Sequence, residues 1–315
     1  MDDKPQTFGA YLLHEQIGSG GMASVHRAEL RGADGTTKEV ALKRMLPEAV
    51  VQRQLRLAFR HEARLMRYLD HPNIPKTYDA GNYRETEFIS MEYIGGPTLR
   101  DVFAHSGKTV GFVPEPVALN IVAQLCDALD YAHNLRDETG KPLNIIHRDV
   151  TPSNLILSKT GVVKLIDFGL AKAQLPRSPE SNAGTIKGKL NYAAPEYLDG
   201  DQLDARMDIW ALGVVLWELL TSRRLFDGPT PLETLTRIRK MPIPRPSIGN
   251  PRISEGLDNI VATALQRDPE KRWQTAAQMG AAARTLIQRP ESYCENRHVI
   301  EWVEWLLTLP PGTTV

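Results

Sequence analysis

IIHRDVTPSNLIL, residues Ile145–Leu157, is the stretch that decides how this chain is read. Two isoleucines lead into His147-Arg148-Asp149. Asn154 stands five residues after the aspartate, and Leu155–Leu157 close the stretch as a second apolar run. A polar cluster between apolar runs reads as a loop held by buried segments on both sides. Shortly after it, Val162–Gly169 reads VVKLIDFG, a short strand pattern ending in Asp-Phe-Gly.

The whole chain sets broad limits. Its 315 residues suffice for one two-lobed domain or two small ones, and 42% are apolar, enough for a sizeable core. Lysine plus arginine and aspartate plus glutamate number 38 each, so no bulk field draws the chain to nucleic acid or an anionic membrane. The two cysteines, Cys126 and Cys294, form no spaced motif, and Cys126 falls in an apolar helical pattern. A reduced, cytoplasmic setting is expected. The N-terminus lacks the apolar core of a secretory signal. The greasiest stretch, Ile209–Leu220, is too short to span a bilayer and contains Glu218, so it reads as a buried helix with no membrane span in this chain.

HRD with Asn154 five residues on, followed by DFG, resembles the catalytic loop and metal loop of eukaryotic-type protein kinases, in their bacterial serine/threonine form. Phosphoryl transfer needs one carboxylate to orient a hydroxyl and take its proton, and oxygen ligands for magnesium. The resemblance gives the first task to Asp149 and the second to Asn154 and Asp167. Pro152, three residues after Asp149, suits a serine/threonine kinase better than the tyrosine-kinase patterns. The fold implied is α+β and bilobal. It has an antiparallel five-stranded N-lobe with one main helix and a mainly helical C-lobe.

Other motifs follow in the family's order. Tyr11–Leu30 reads as strand, glycine-rich turn, strand. Gly18, Gly20 and Gly21 remove side chains where backbone must approach phosphates, and Ala23 replaces the family's third glycine. By resemblance Ile17, Gly18, Ser19, Gly20, Gly21 and Val25 would cover ATP. In VALK, Ala41 would face the adenine and Lys43 would reach the phosphates. The segment from Leu46 to Asp70 has helical periodicity. It carries Glu62 as the partner expected for Lys43, with Glu48 as the weaker alternative. Phe88–Ile94 is a strand entering the linker Gly95-Gly96-Pro97. There Met91 would be the gatekeeper, and the backbone of Glu92 and Ile94 would bind the adenine edge. Ile156 would lie below the adenine, opposite Val25 and Ala41.

Further on, Tyr192–Glu196 (YAAPE), Asp208-Ile209-Trp210 and Arg272 complete a C-lobe pattern. Asp208 is expected to hold the catalytic-loop backbone and Arg272 to pair with Glu196. The polar turn 136–144 reads as a surface insertion. Pro116–Asn134, Pro229–Met241, Glu255–Gln266 and Thr275–Gln288 read as helices. The boundaries expected are an extension over 1–10, an ATP-binding lobe over 11–94, a catalytic and peptide-binding lobe over 95–290, and a helical extension over 291–315. Within that extension, 291–309 has an apolar face. It reads either as a terminal helix packed on the large lobe or as a partner or dimer contact.

The function implied is ATP- and Mg2+-dependent transfer of a phosphoryl group to serine or threonine of protein substrates, under control of activation-loop autophosphorylation. The competing reading is a pseudokinase or scaffold. Thr185, with Ser181 and Ser178 as alternatives, is the phosphosite expected to pair with Arg148. One departure stands out. The family usually has lysine two residues after the catalytic aspartate and threonine just after the glycine that precedes Y-x-A-P-E. Here those positions hold Thr151 and Lys189. Either the two have exchanged roles, with Lys189 supplying the charge and Thr151 the hydroxyl, or the enzyme is weakened and Lys189 contacts acidic substrates.

Overall fold

The computed structural model describes residues 6–32, 35–169, 190–200 and 203–310. The chain divides into two compact units, with the break between Gly95 and Gly96.

The first unit is a single antiparallel sheet with one long helix. Its strands are β1 (Gln6–Phe8), β2 (Tyr11–Ser19), β3 (Ala23–Arg31), β4 (Thr37–Met45), β5 (Thr77–Tyr83) and β6 (Thr86–Glu92), in the order β1-β2-β3-β4-β6-β5. The sheet thus has six strands where five were expected. The added strand comes from the segment read as an extension. A two-residue turn at Gly9-Ala10, with Gly9 at φ +60°, pairs Phe8 with Tyr11. Phe8 is held because its ring packs edge-on against Tyr83 at 4.9 Å and Phe88 at 5.7 Å. Together with Tyr11, Leu13, Val40 and Leu42 these rings form the core of one sheet face.

The segment after β4 is not one continuous helix. It is a short turn of helix, Pro47–Val50, followed by Arg53–Met66. The β-branched Val50-Val51 pair weakens the helix there, and Gln52 turns extended. The longer helix buries Ala58, Phe59, Glu62, Leu65 and Met66 on one face and leaves four arginines (53, 56, 60 and 64) on the rest.

The second unit is built around the helix Arg206–Thr221, in which every residue from Met207 to Leu220 is buried. A helix apolar on all sides must be wrapped on all sides. Glu115–Asn134 and Glu255–Ala264 pack on it, and Ala276–Ile287 packs on the former. The helix Leu99–Ser106, which periodicity did not reveal, starts at a Thr98–Asp101 capping box. A two-stranded ribbon, β7 (Leu155–Leu157) with β8 (Val163–Leu165), carries the decisive stretch. The linker is pressed on β7: a Cβ at Gly96 would lie 1.9 Å from the Leu157 carbonyl oxygen, and Leu157 N–H donates to Pro97 O. Only glycine fits at that approach. The last helix, Asn296–Thr308, buries Val299, Val303 and Leu306 within this unit and leaves Leu307 exposed. Among the described residues no helix is long and apolar enough to cross a membrane.

Candidate active site

Each unit presents its own set of polar groups. In the first, β4 places Lys43 opposite Val25 of β3, and Val25 opposite Gly18 of β2. Lys43 Nζ donates to Glu62 Oε1 at 2.6 Å, with the two side chains 10% and 1% exposed. Glu48, the other carboxylate weighed for this lysine, is exposed. A buried pair adds little net stability, because desolvation opposes the attraction. Its presence therefore points to a use other than folding. Neither Gly18 nor Gly20 has positive φ, and a Cβ at either would meet no protein atom closer than 3.7 Å. The fold itself does not demand glycine there. Ile17 is exposed at 45%, while Ala41 and Met91 are buried and face each other across β4 and β6. Glu92 N–H donates to Lys76 O, and Ile94 is half-buried.

In the second unit the loop from His147 to Asn154 hangs on one carboxylate. Asp208 Oδ2 accepts from His147 N–H at 2.7 Å and from His133 Nε2 at 2.9 Å; Oδ1 accepts from Arg148 N–H at 2.8 Å. These bonds hold Arg148 at φ +64°, a left-handed conformation that a side-chain-bearing residue takes at a cost of about 1 kcal/mol or more. Burial alone would raise the Asp208 carboxyl, but the hydrogen bond and charge of His133 and the donors beside it hold it below its ordinary value. His147 is fully buried. Its Nε2 must donate to Ile166 O, because a carbonyl only accepts, so Nδ1 is left to accept from Asp149 N–H. The ring packs on Phe168 at a centroid distance of 4.5 Å.

Asp149 is 7% exposed, and its carbonyl takes Asn154 Nδ2 at 2.9 Å. That bond commits the nitrogen of the Asn154 amide, so any metal it held would meet the amide oxygen. Ile166 N–H donates to Asn154 O, which brings Asp167 to the same end of the β7–β8 ribbon. Asp167 is exposed with φ +57°, and aspartate tolerates this region better than most residues. An amide oxygen and an exposed carboxylate are hard donors, as a small divalent cation requires. Thr151 is buried and its carbonyl accepts from Asn154 N–H; Ile156 is half-buried on β7. Lys189, Thr185, Ser181 and Ser178 lie outside the described residues.

Around this loop, Arg272 makes two 2.6 Å bonds to Glu196, both buried, and Tyr192 donates to Glu218 at 2.7 Å. The protein kinase domain family matches residues 11–283. The chain belongs to the protein kinase family.

Its curated relatives include bacterial kinases named for serine/threonine and one named for tyrosine. It is 37% identical over 287 residues to the serine/threonine-protein kinase PknB of Mycobacterium leprae, covering 89% of this chain and 43% of that one. To PrkC of Bacillus subtilis it is 34% identical, covering 89% and 41%. It is also 38% identical to the tyrosine-protein kinase MasK of Myxococcus xanthus, covering 90% and 44%. The chain thus spans less than half the length of these curated relatives. Among solved structures, the kinase domain of Mycobacterium tuberculosis PknI aligns at a TM-score of 0.65 with 25% identity, covering 90% of this chain and 98% of that one. The family uses ATP and a divalent metal to phosphorylate proteins. Two residues of this kinase escaped the sequence reading. His133 looked like an ordinary helix-end histidine, and Gln124 like a polar position on an apolar helix. Neither carries a signal outside its tertiary contacts.

Proposed function

We propose that this chain transfers the γ-phosphoryl group of Mg2+-bound ATP to serine or threonine hydroxyls of proteins. The buried Lys43–Glu62 pair carries this reading, since a lysine held so tightly in a sheet is poised for phosphate rather than for water. Lys43 would bind the α- and β-phosphates, with Glu62 fixing its direction. Gly18, Ser19, Gly20 and Gly21 would let the backbone approach the phosphates, and glycine at 18 and 20 has no other structural cause. Ile17, Val25, Ala41 and Ile156 would contact the adenine. Met91 would bound its pocket, and the backbone of Glu92 and Ile94 would meet its edge. Asn154 and Asp167 would hold magnesium, which supplies charge neutralisation on the phosphate oxygens. Asp149, fixed by Asn154 and by the Asp208-bound loop, would orient the acceptor hydroxyl and take its proton as the new P–O bond forms.

Two further roles rest on sequence position alone. Phosphate on Thr185 would pair with Arg148. Lys189 would supply the ammonium charge missing at Thr151, so that Lys189→Thr lowers kcat about a hundredfold and Thr151→Lys restores much of it.

The test is incubation with [γ-³²P]ATP and a mixed protein substrate, followed by phosphoamino-acid analysis. Label on phosphoserine and phosphothreonine, absent in Asp149→Asn, is expected. Label confined to phosphotyrosine would favour the acceptor named for MasK, and equal labelling by Asp149→Asn would remove the assignment.

A further inference from the structure

The β7–β8 ribbon has two ends with different surroundings. Its open end carries Asn154 and Asp167. Its turned end, Ser158 to Val162, is tied by Ser158 N–H to Val162 O and by Ser158 Oγ, which accepts from Val162 N–H. Against this turn lies the start of the last helix. Gly161, at φ +77°, sits so close that a Cβ there would be 1.9 Å from Asn296 O.

One side chain joins the parts. Gln124, midway along Glu115–Asn134, accepts Val163 N–H on Oε1 at 3.0 Å. The two hydrogens on its Nε2 serve three acceptors, one of them shared: Asn120 Oδ1 at 2.7 Å, Asn296 Oδ1 at 3.1 Å and Gly161 O at 3.2 Å. The amide can point only this way, because the reverse would set its oxygen against three acceptors. Asn120 Nδ2 in turn donates to Cys294 O. The far end of the segment is tied as well, where His105 Nε2 donates to Leu309 O. The partners Cys294, Asn296 and Leu309 lie beyond residue 283, where the family match stops.

We propose that residues 294–309 brace the β7–β8 ribbon, and that Asn296, acting through Gln124, is a positioning residue for Asn154 and Asp167. The inference rests on the reading of those two residues as the metal pair. A ribbon of three residue pairs has little stability alone, so what grips its turned end sets how well its open end is fixed. Polar networks of this half-buried kind act as units, and losing Asn296 removes the side-chain link between the last helix and Gln124.

The experiment uses the whole chain with Asn296→Ala, and Asn296→Asp as the conservative variant, since aspartate keeps an oxygen for Gln124. Two quantities are read: amide hydrogen exchange over residues 155–166, and the Mg2+ concentration giving half-maximal phosphorylation of a peptide at saturating ATP. In Asn296→Ala, ribbon exchange should rise about five- to tenfold while the Arg206–Thr221 helix stays protected. The half-saturating Mg2+ concentration should rise severalfold, with KM for the peptide unmoved, and Asn296→Asp should restore both. Gly161→Ala, whose methyl pushes the turn off Asn296, should produce the same two changes. Unchanged ribbon exchange in Asn296→Ala overturns the brace, whatever happens to activity. A loosened ribbon with a wild-type Mg2+ requirement overturns the positioning role. Asp167→Asn separates this from the underlying reading. If it also leaves the Mg2+ requirement unmoved, the metal pair is misassigned, while the exchange data still decide the brace.

Discussion

The two ends of the Arg206–Thr221 helix each bury a carboxylate, and the two behave oppositely. Asp208 lies in the first turn and Glu218 near the last; each side chain is 1% exposed. Asp208 is held below its ordinary value of 3.8, whereas burial pushes Glu218 above its ordinary 4.5. The difference is in what converges on them. Asp208 receives two backbone N–H groups and a histidine, and it sits at the positive end of the helix dipole. Glu218 receives the Tyr192 hydroxyl, Leu225 N–H and an Arg224 that is 33% exposed, at the negative end. These do not offset its desolvation. The end that holds the His147–Asn154 loop favours the anion. The end that holds Tyr192 can take up a proton.

The largest effect should come from Asp208→Asn. Asparagine has one oxygen, so its NH2 group would face a backbone or histidine donor. We expect a loss of about 3 kcal/mol in stability and at least a hundredfold in transfer, read by chemical denaturation and steady-state kinetics. Because the Asp208 carboxyl is depressed, its contribution is present above pH 3.8 and lost as pH falls through the lower folded value. The gap between wild type and variant should therefore close below that pH.

An intermediate effect is expected for His133→Ala, about 1–2 kcal/mol, since one of the Asp208 donors is removed and the backbone donors remain. Its distinctive mark is the acid limb of the stability curve, which should move to higher pH as Asp208 loses the partner that holds its carboxyl down.

The smallest effect belongs to Glu218→Gln, within about 1 kcal/mol at neutral pH. A raised carboxyl favours the fold while protonated, and that contribution is lost as pH rises from 4.5 through the folded value. The variant should therefore gain on wild type as pH rises above 4.5. If Asp208→Asn and Glu218→Gln gave parallel pH profiles, the contrast between the two ends would be gone.

Much of this was legible in the sequence, and the reason is local. HRD, DFG, APE and D-x-W are short contiguous patterns, so the resemblance to protein kinases could pick out Asp149, Asn154, Asp167 and Asp208 as candidates. The Lys43–Glu62 pair needed the order of strand and helix as well, and that too is readable. Phe8 was not, because three residues give no period and its burial depends on Tyr83 and Phe88, some eighty residues away. Gln124 was not, because a glutamine on a helix looks the same whether it meets water or a ribbon. The break at Val51-Gln52 was missed because the apolar spacing runs through it.

The most direct measurement of the central claim is peptide phosphorylation by Asp167→Asn beside wild type, each with its melting temperature. Asp167 is exposed and left-handed, and asparagine tolerates that backbone and keeps the side chain's size, so the change is aimed at the charge. The account predicts a loss of at least about a hundredfold in kcat with melting shifted by no more than about 2 °C. Near-normal turnover by the folded variant would contradict it.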